Sequence, residues 1–279
     1  MTRAARLIMV GCGHMGYAMV RGLHGRSPWA EIVVVETSPE RRTTLSERDG
    51  LTVSADLEIA EGDFVVLAIP PQAFEAFVRS RRHTFTPTTP VLSVMAGLTA
   101  DSIARDLGTS QVVRSIPNTP SEIFEGMSVY FADTAVSKET IAQADLLLGS
   151  IGKTLRVASE KLVDDATALC GGGPAFVSYI MDAFCRFAVS RGFTPEAGRD
   201  MAVQVFSGTA ALVAGSGRPP MQLCREVMTP NGTTERGVDV FDHVGMKQHI
   251  HDALTASAER SAELGTALSG GRCPGDADV

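Results

Sequence analysis

Short apolar runs alternate with helix-like stretches through the first half of the chain. Leu7-Ile8-Met9-Val10, Ile32-Val33-Val34-Val35 and residues 63–69, 90–95 and 111–116 have the length of buried strands. Residues 17–23, 72–80 and 99–107 read as helices, and Pro39 fits the first turn of another. Strands that are apolar on both faces and separated by helices predict a parallel sheet covered on both sides. Residues 127–131 and 154–157 add two final strands around a helix over 138–150. After about Glu160 the texture changes. Helices are predicted over 161–169, 175–191, 195–214 and 221–227, and one last helix runs from Thr233 to about 268. Gly171-Gly172-Gly173-Pro174 interrupts this series. Each Gly costs a regular helix about 1 kcal/mol and each Pro about 3.

The first strand runs directly into Gly11-Cys12-Gly13-His14-Met15-Gly16, which is G-x-G-x-x-G, and a helix follows. The next strand ends at Glu36, twenty residues after Gly16. That strand, glycine loop, helix, strand and acid form a dinucleotide-binding signature in context. Gly11 permits the tight turn, Gly13 lets a pyrophosphate approach the backbone, and Gly16 lets the helix pack on the strand. The helix N-terminus offers unpaired N–H groups to the phosphates. The predicted organisation is a Rossmann-type, mostly parallel α/β domain over 1–159 and an all-α domain over 160–268. A disordered tail over 269–279 completes it.

Three strand ends carry further candidate loops: 68–72, 93–97 and 114–120. Ala96 and Gly97 have no bulk, so a nicotinamide ring can lie against them. Asn118, in Pro117-Asn118-Thr119-Pro120, offers donors and acceptors. Thr229-Pro230-Asn231-Gly232-Thr233-Thr234 opens the last helix with three hydroxyls. It is either a carboxylate site or simple helix capping. The helices of the second half are too apolar for a lone surface domain, so they form either a compact bundle or, the favoured reading, a face packed against a second copy.

A net charge of −7 argues against nucleic acid or an anionic membrane as partner. No uninterrupted apolar run reaches about 18 residues, so no membrane span is expected. No signal-peptide pattern is read at the start. The five cysteines (Cys12, Cys170, Cys185, Cys224 and Cys273) are scattered, which suits reduced thiols in a cytoplasm. His249 and His251, two apart on a helix, face apart, so no metal site is expected.

The chain resembles the pyrroline-5-carboxylate reductase family from residue 7 to about 268. The resemblance rests on the glycine loop and on Arg114-Ser115-Ile116-Pro117-Asn118-Thr119-Pro120. It rests further on Asp164-Asp165-Ala166-Thr167-Ala168-Leu169 leading to the glycine run, and on Val227-Met228 before Thr229 to Thr234. It implies hydride transfer from NAD(P)H to the C=N carbon of a cyclic imine, 1-pyrroline-5-carboxylate, giving L-proline. It also implies interlocked helices in a homodimer or a ring of dimers, each active site being completed by the partner. Carried over, the phosphate loop falls on Cys12, Gly13, His14 and Met15. The ribose and nicotinamide contacts fall on Ala68, Ile69, Pro70, Pro71, Ala96 and Gly97. Substrate carboxylate falls on Thr229, Gly232, Thr233 and Thr234, with Thr234 also beside the ring nitrogen. Glu160 matches a glutamate that contacts substrate in some members. Thr234 and Glu160 are therefore the catalytic candidates.

Several positions depart from the family pattern. Gly172 stands where the family usually has Ser, and Asn231 where it usually has Gly. Pro70-Pro71-Gln72 replaces Lys-Pro-Gln, and the family's Asn near Ala55 and Asp56 has no match. Glu36 alone favours NAD, whereas Arg41 and Arg42 close by and the resemblance favour NADP. Three other readings remain at this point, the first being a reductase of a related cyclic imine. A β-hydroxyacid dehydrogenase would need a catalytic lysine, yet Lys138, Lys153, Lys161 and Lys247 sit in no fitting motif. A non-catalytic nucleotide-binding regulator would account for Gly172 and Asn231.

Overall fold

The computed structural model describes residues 5–23 and 27–270. They form two compact units. One holds the described residues up to Gly172 together with those from Ser257 onward, and the other is Gly173–Ala256.

The first unit is built on one eight-stranded sheet: β1 Arg6–Val10, β2 Glu31–Val35, β3 Thr52–Ser54, β4 Phe64–Leu67, β5 Val91–Ser93, β6 Val112–Ile116, β7 Gly126–Ala132 and β8 Gly152–Arg156. Their spatial order is 3-2-1-4-5-6-7-8. All pairs are parallel except β6 with β7. The antiparallel pair has a local cause. Only a short 3-10 turn, Thr119–Ile123, joins the two strands. A parallel return would need a crossover of a dozen residues or more. β3 was not expected from the sequence, because Thr-Val-Ser is short and half polar.

Helices α1 His14–Gly22, α2 Pro39–Asp49, α3 Phe74–Arg81, α4 Ala100–Leu107 and α5 Lys138–Gly149 cover the sheet. Two apolar clusters lie on its two faces. One includes Leu7, Met9, Met19, Val34 and Phe64, and the other Ile8, Val10, Val65, Leu67 and Phe74. Alternate residues of β1 thus enter different cores, as the two-residue side-chain period requires.

One ion pair closes the start of β1. The Arg6 guanidinium lies 2.6 Å from Asp63, whose carboxyl is buried. Burial alone would raise that carboxyl, but the bonds from Arg6 and from the N–H groups of Ala60 and Arg6 outweigh it and hold it below the usual carboxylate range. The stabilisation is therefore full above the unfolded value near 4 and fades as pH falls through the lower folded value. Asp63→Asn should cost about 3 kcal/mol at neutral pH. Denaturant titrations should show that gap narrowing in acid, and a gap independent of pH would refute the assignment.

After β8 the chain turns helical: α6 Lys161–Ala166, α7 Gly173–Ser190, α8 Pro195–Ser216, α9 Pro220–Val227, α10 Thr233–His243 and α11 Met246–Gly270. Two expectations are corrected here. The glycine run makes no loop. The helix widens to a π turn over Thr167–Gly171, Gly172 N–H donates to Thr167 O at 2.9 Å, and α7 begins at once. Pro174 sits in the first turn of α7, where no N–H is needed. The expected single last helix is two, because Gly245 adopts φ +66° between α10 and α11. Of the expected tail, residues 271–279 lie outside the described residues.

One stretch comes near a membrane span in apolar length. Lys161–Ser190 holds an 18-residue window of mean hydropathy 1.2, long and apolar enough to cross a membrane by those criteria. Asp182 and Arg186, paired at 2.6 Å, interrupt the run that the sequence reading required to be unbroken. Almost none of this window is buried within the chain. Tyr179 is 82% exposed, and Phe187, Leu212 and Val227 are exposed as well.

Candidate active site

The strand order reverses between β1 and β4, the switch point at which open α/β sheets bind ligands. β1 ends at Gly11, whose φ is +82° and whose N–H donates to Val35 O. Beside it, Ala68 N–H donates to Val10 O. A cleft of about 720 Å³ opens at these carboxyl ends. Gly11, Cys12, Gly13, His14, Met15, Glu36, Ala68, Ile69 and Pro70 line it, all expected from the sequence. Gly16 lies buried under the loop, and Pro71 opens a 3-10 turn. Ala96, Gly97 and Asn118 follow the ends of β5 and β6 and do not line this cleft.

The glycines fit a dinucleotide. A Cβ on Gly11 would stand 2.8 Å from Ala68 O and from Ile69 Cγ2, and one on Gly16 would stand 2.6 Å from Gly11 O. A Cβ on Gly13 would meet nothing within 4 Å, so this position faces open space. Gly13 is also the N-cap of α1 and has no side chain to occupy the helix N-terminus. The free N–H groups there suit a pyrophosphate. Gly11→Ala, strained by both φ and contact, should weaken cofactor binding at least tenfold, worth about 1.4 kcal/mol. A fluorescence titration with NADPH that shows unchanged affinity would count against this geometry.

Cys12 contributes backbone rather than thiol. Its side chain is buried, and burial pushes the thiol up to about 11, so it is neutral at physiological pH. Its carbonyl accepts a hydrogen bond from Arg41. His14 is exposed, with Nδ1 3.1 Å from Glu122 Oε1. Glu36 accepts from Ser38 N–H at 3.2 Å and pairs with Arg41 Nε at 3.3 Å. Asn118 uses its amide within the fold: Nδ2 donates to Cys170 O, and Oδ1 accepts from Met127 N–H. The far end of the cleft, formed by Ala55, Leu57 and Phe77, was not anticipated. Ala55 and Leu57 follow the unforeseen β3. Phe77 was legible only as the partner of Phe74 one helical turn earlier.

Glu160 lies at the start of α6 and is held from two sides. Its Oε1 accepts from Ala100 N–H at 2.7 Å and from Arg114 Nη1 at 3.0 Å. Arg114 Nη2 reaches Asp164 at 2.5 Å. Arg114 is only 2% exposed, on a strand whose other side chains are largely apolar. The sequence reading missed this triad, for which a charged residue inside a buried strand was the available signal.

In the second unit, α10 begins after Thr229-Pro230-Asn231-Gly232. Asn231 adopts φ +59°, which explains why glycine suits the position and why asparagine is tolerated. Asn231 N–H donates to Glu235 Oε2 at 2.6 Å, and Gly232 N–H donates to Thr229 O at 2.8 Å. Gly232 is the N-cap and brings no side chain, so the first turn of α10 keeps free donors beside Thr233 and Thr234. A Cβ on Gly232 would stand 2.2 Å from Thr229 Oγ1.

A Rossmann-type sheet with a glycine-lined cleft, followed by exposed apolar helices, defines an NAD(P)-dependent oxidoreductase with a helical association domain. The family description "Pyrroline-5-carboxylate reductase dimerisation" matches residues 160–264, and "NADP oxidoreductase coenzyme F420-dependent" matches 6–97. The pyrroline-5-carboxylate reductase of Pseudomonas aeruginosa is 32% identical over 267 residues, covering 94% of this chain and 98% of that one. The Arabidopsis thaliana enzyme of the same name is 30% identical over 259 residues, covering 91% and 94%. A solved structure of a pyrroline-5-carboxylate reductase from Coxiella burnetii superposes with a TM-score of 0.87 at 28% identity, over 94% of this chain and 99% of that one. The chain belongs to the pyrroline-5-carboxylate reductase family.

Proposed function

We infer that the protein reduces 1-pyrroline-5-carboxylate to L-proline, the closing step of proline synthesis. Near full-length similarity to enzymes of that name carries this reading. The switch-point cleft and the donor-rich start of α10 supply matching chemistry. The nicotinamide, when bound, supplies the hydride. The proposed cofactor is NADPH, with NADH also accepted. Gly11 to Gly16 would hold the pyrophosphate, Glu36 the adenosine ribose, and Ala68 to Pro71 with Ala96, Gly97 and Asn118 the nicotinamide half.

The reaction balances simply. The protonated imine accepts hydride at its C=N carbon, the ring nitrogen keeps its proton, and a secondary amine forms. An iminium accepts hydride far better than a neutral imine, so the site must favour the cation. Thr229, Gly232, Thr233 and Thr234 anchor the carboxylate through hydroxyls and helix N–H groups. Thr234 holds or relays the nitrogen's proton, with water sharing the task because a threonine is a poor acid. Glu160 balances the iminium charge electrostatically. Positioning of this kind is worth up to about 7–11 kcal/mol.

The proposed division is 1–159 for nucleotide binding and 160–268 for dimerisation and substrate, supported by the dimerisation match that begins at 160. The exposed apolar helices would pack on a second copy, in a homodimer or ring of dimers, rather than in a bilayer. A cytoplasmic location is part of this reading, supported by free Cys12, Cys170, Cys185 and Cys224. Deuterated NADPH tests the chemistry: the label should appear in proline on the former imine carbon. Unlabelled proline, or label elsewhere, would overturn it.

A further inference from the structure

One side chain joins the acid at the end of β2 to the glycine loop. Arg41 Nε lies 3.3 Å from Glu36 Oε2, and the same guanidinium donates to the carbonyl of Cys12. Glu36 is well covered, at 13% exposure, whereas Arg41 is 53% exposed. Arg42, the other basic candidate, is committed to the backbone, donating to Glu36 O at 3.0 Å and Thr37 O at 2.8 Å. Arg41 also borders a second cavity, of about 460 Å³, on the α1–α2 side of the loop. It therefore stands between two open spaces.

An acid at the end of the second strand binds the two free ribose hydroxyls of NADH and repels a 2′-phosphate. Here that acid is already paired with a half-exposed guanidinium. A guanidinium binds phosphate as well as carboxylate, often through two parallel hydrogen bonds. The arrangement can therefore serve either ribose.

We propose that Arg41 is the specificity-determining residue that lets this site accept both NADH and NADPH, pairing with Glu36 for the first and with the 2′-phosphate for the second. With NADH, the pair stays closed and Glu36 accepts from the ribose hydroxyls. With NADPH, Arg41 turns from Glu36 to the phosphate, and the adjoining cavity gives it room. What Arg41 gains on phosphate it partly loses on Glu36, so the two affinities lie within about tenfold in the native protein. This inference rests on the dinucleotide assignment above.

The test is equilibrium titration of the full-length protein with NADH and NADPH, without imine, so that turnover plays no part. Arg41→Ala should weaken NADPH roughly thirtyfold more than NADH, the size expected for a lost charge-assisted contact. Glu36→Gln should shift the ratio roughly tenfold the other way by removing the repulsion. Arg42→Ala should leave the ratio within about threefold, because that side chain serves the backbone. Equal weakening of both cofactors by Arg41→Ala, with native binding intact, would mean that Arg41 only braces the loop and would overturn this proposal. Native protein that binds neither cofactor would instead overturn the dinucleotide assignment itself.

Discussion

Thr234→Ala is expected to lower turnover roughly a hundredfold, the scale of a positioned group that handles a proton. The affinity for NADPH should stay within about twofold, because the proposed phosphate site is the glycine loop and not α10. The argument starts from position. Thr234 is the second residue of α10, whose N-cap is a glycine with no side chain to satisfy the first turn. The helix therefore presents free N–H groups and a partial positive charge. In the proposed role that field favours the substrate carboxylate but works against the iminium of the same ring. A hydroxyl can accept from the iminium N–H, which the helix N–H groups cannot do. Alanine removes that acceptor and leaves the carboxylate the hydroxyls of Thr229 and Thr233 and the helix N–H groups. Loss should therefore fall on kcat more than on KM. Thr234→Ser, which keeps the hydroxyl, should recover most of the rate. Steady-state kinetics on the three proteins decides it, and unchanged turnover in Thr234→Ala would remove Thr234 from the chemistry.

The second large effect lies in the charged triad around buried Arg114. Arg114→Met should lower unfolding free energy by about 2–3 kcal/mol, below the cost of breaking a fully buried ion pair because the two carboxylates left behind are partly exposed. Two carboxylates, Glu160 and Asp164, would lose their shared partner. For a chain of this size that corresponds to a fall in Tm of several degrees. Glu160→Gln separates stability from chemistry. The amide oxygen can still accept from Ala100 N–H, so the start of α4 stays tied to α6. Its stability cost should be about 1–2 kcal/mol. Its turnover should nonetheless fall about tenfold, because no charge remains to balance the iminium. Thermal melts and kinetics on both variants test this. A Glu160→Gln protein with native turnover would make the triad purely structural.

The parts of the fold that the sequence reveals are those written in local pattern. β1, the glycine loop, α1, β2 and Glu36 are contiguous, and each residue type there answers one steric or electrostatic need. The start of α10 is legible in the same way. Three features escape that logic. β3 has only three residues, two of them polar, and is a strand because β2 pairs with it. The reversal of β7 follows from a short connection and not from its composition. The π turn at 167–171 absorbs the glycines within the helical path, where helix propensity alone predicts a break.

The candidate site divides along the same line. The glycine loop is a sequence motif, and its residues line the cleft at the switch point. Arg114 lies 46 residues from Glu160 and 50 from Asp164, and only folding brings them together. Asn118 is a cofactor candidate from its chemistry. Its amide also bonds to β7 and to the π turn, contacts that no local pattern encodes. Asn231 shows the converse. It departs from the family's glycine, yet its positive φ makes it one of the few other residues that fit.

The central claim is tested most directly by following NADPH and NADH oxidation, in parallel, with and without pyrroline-5-carboxylate, while assaying proline. The account predicts imine-dependent oxidation with one L-proline formed for each cofactor consumed. Cofactor that binds but is not oxidised when the imine is added, with either nucleotide, would contradict it.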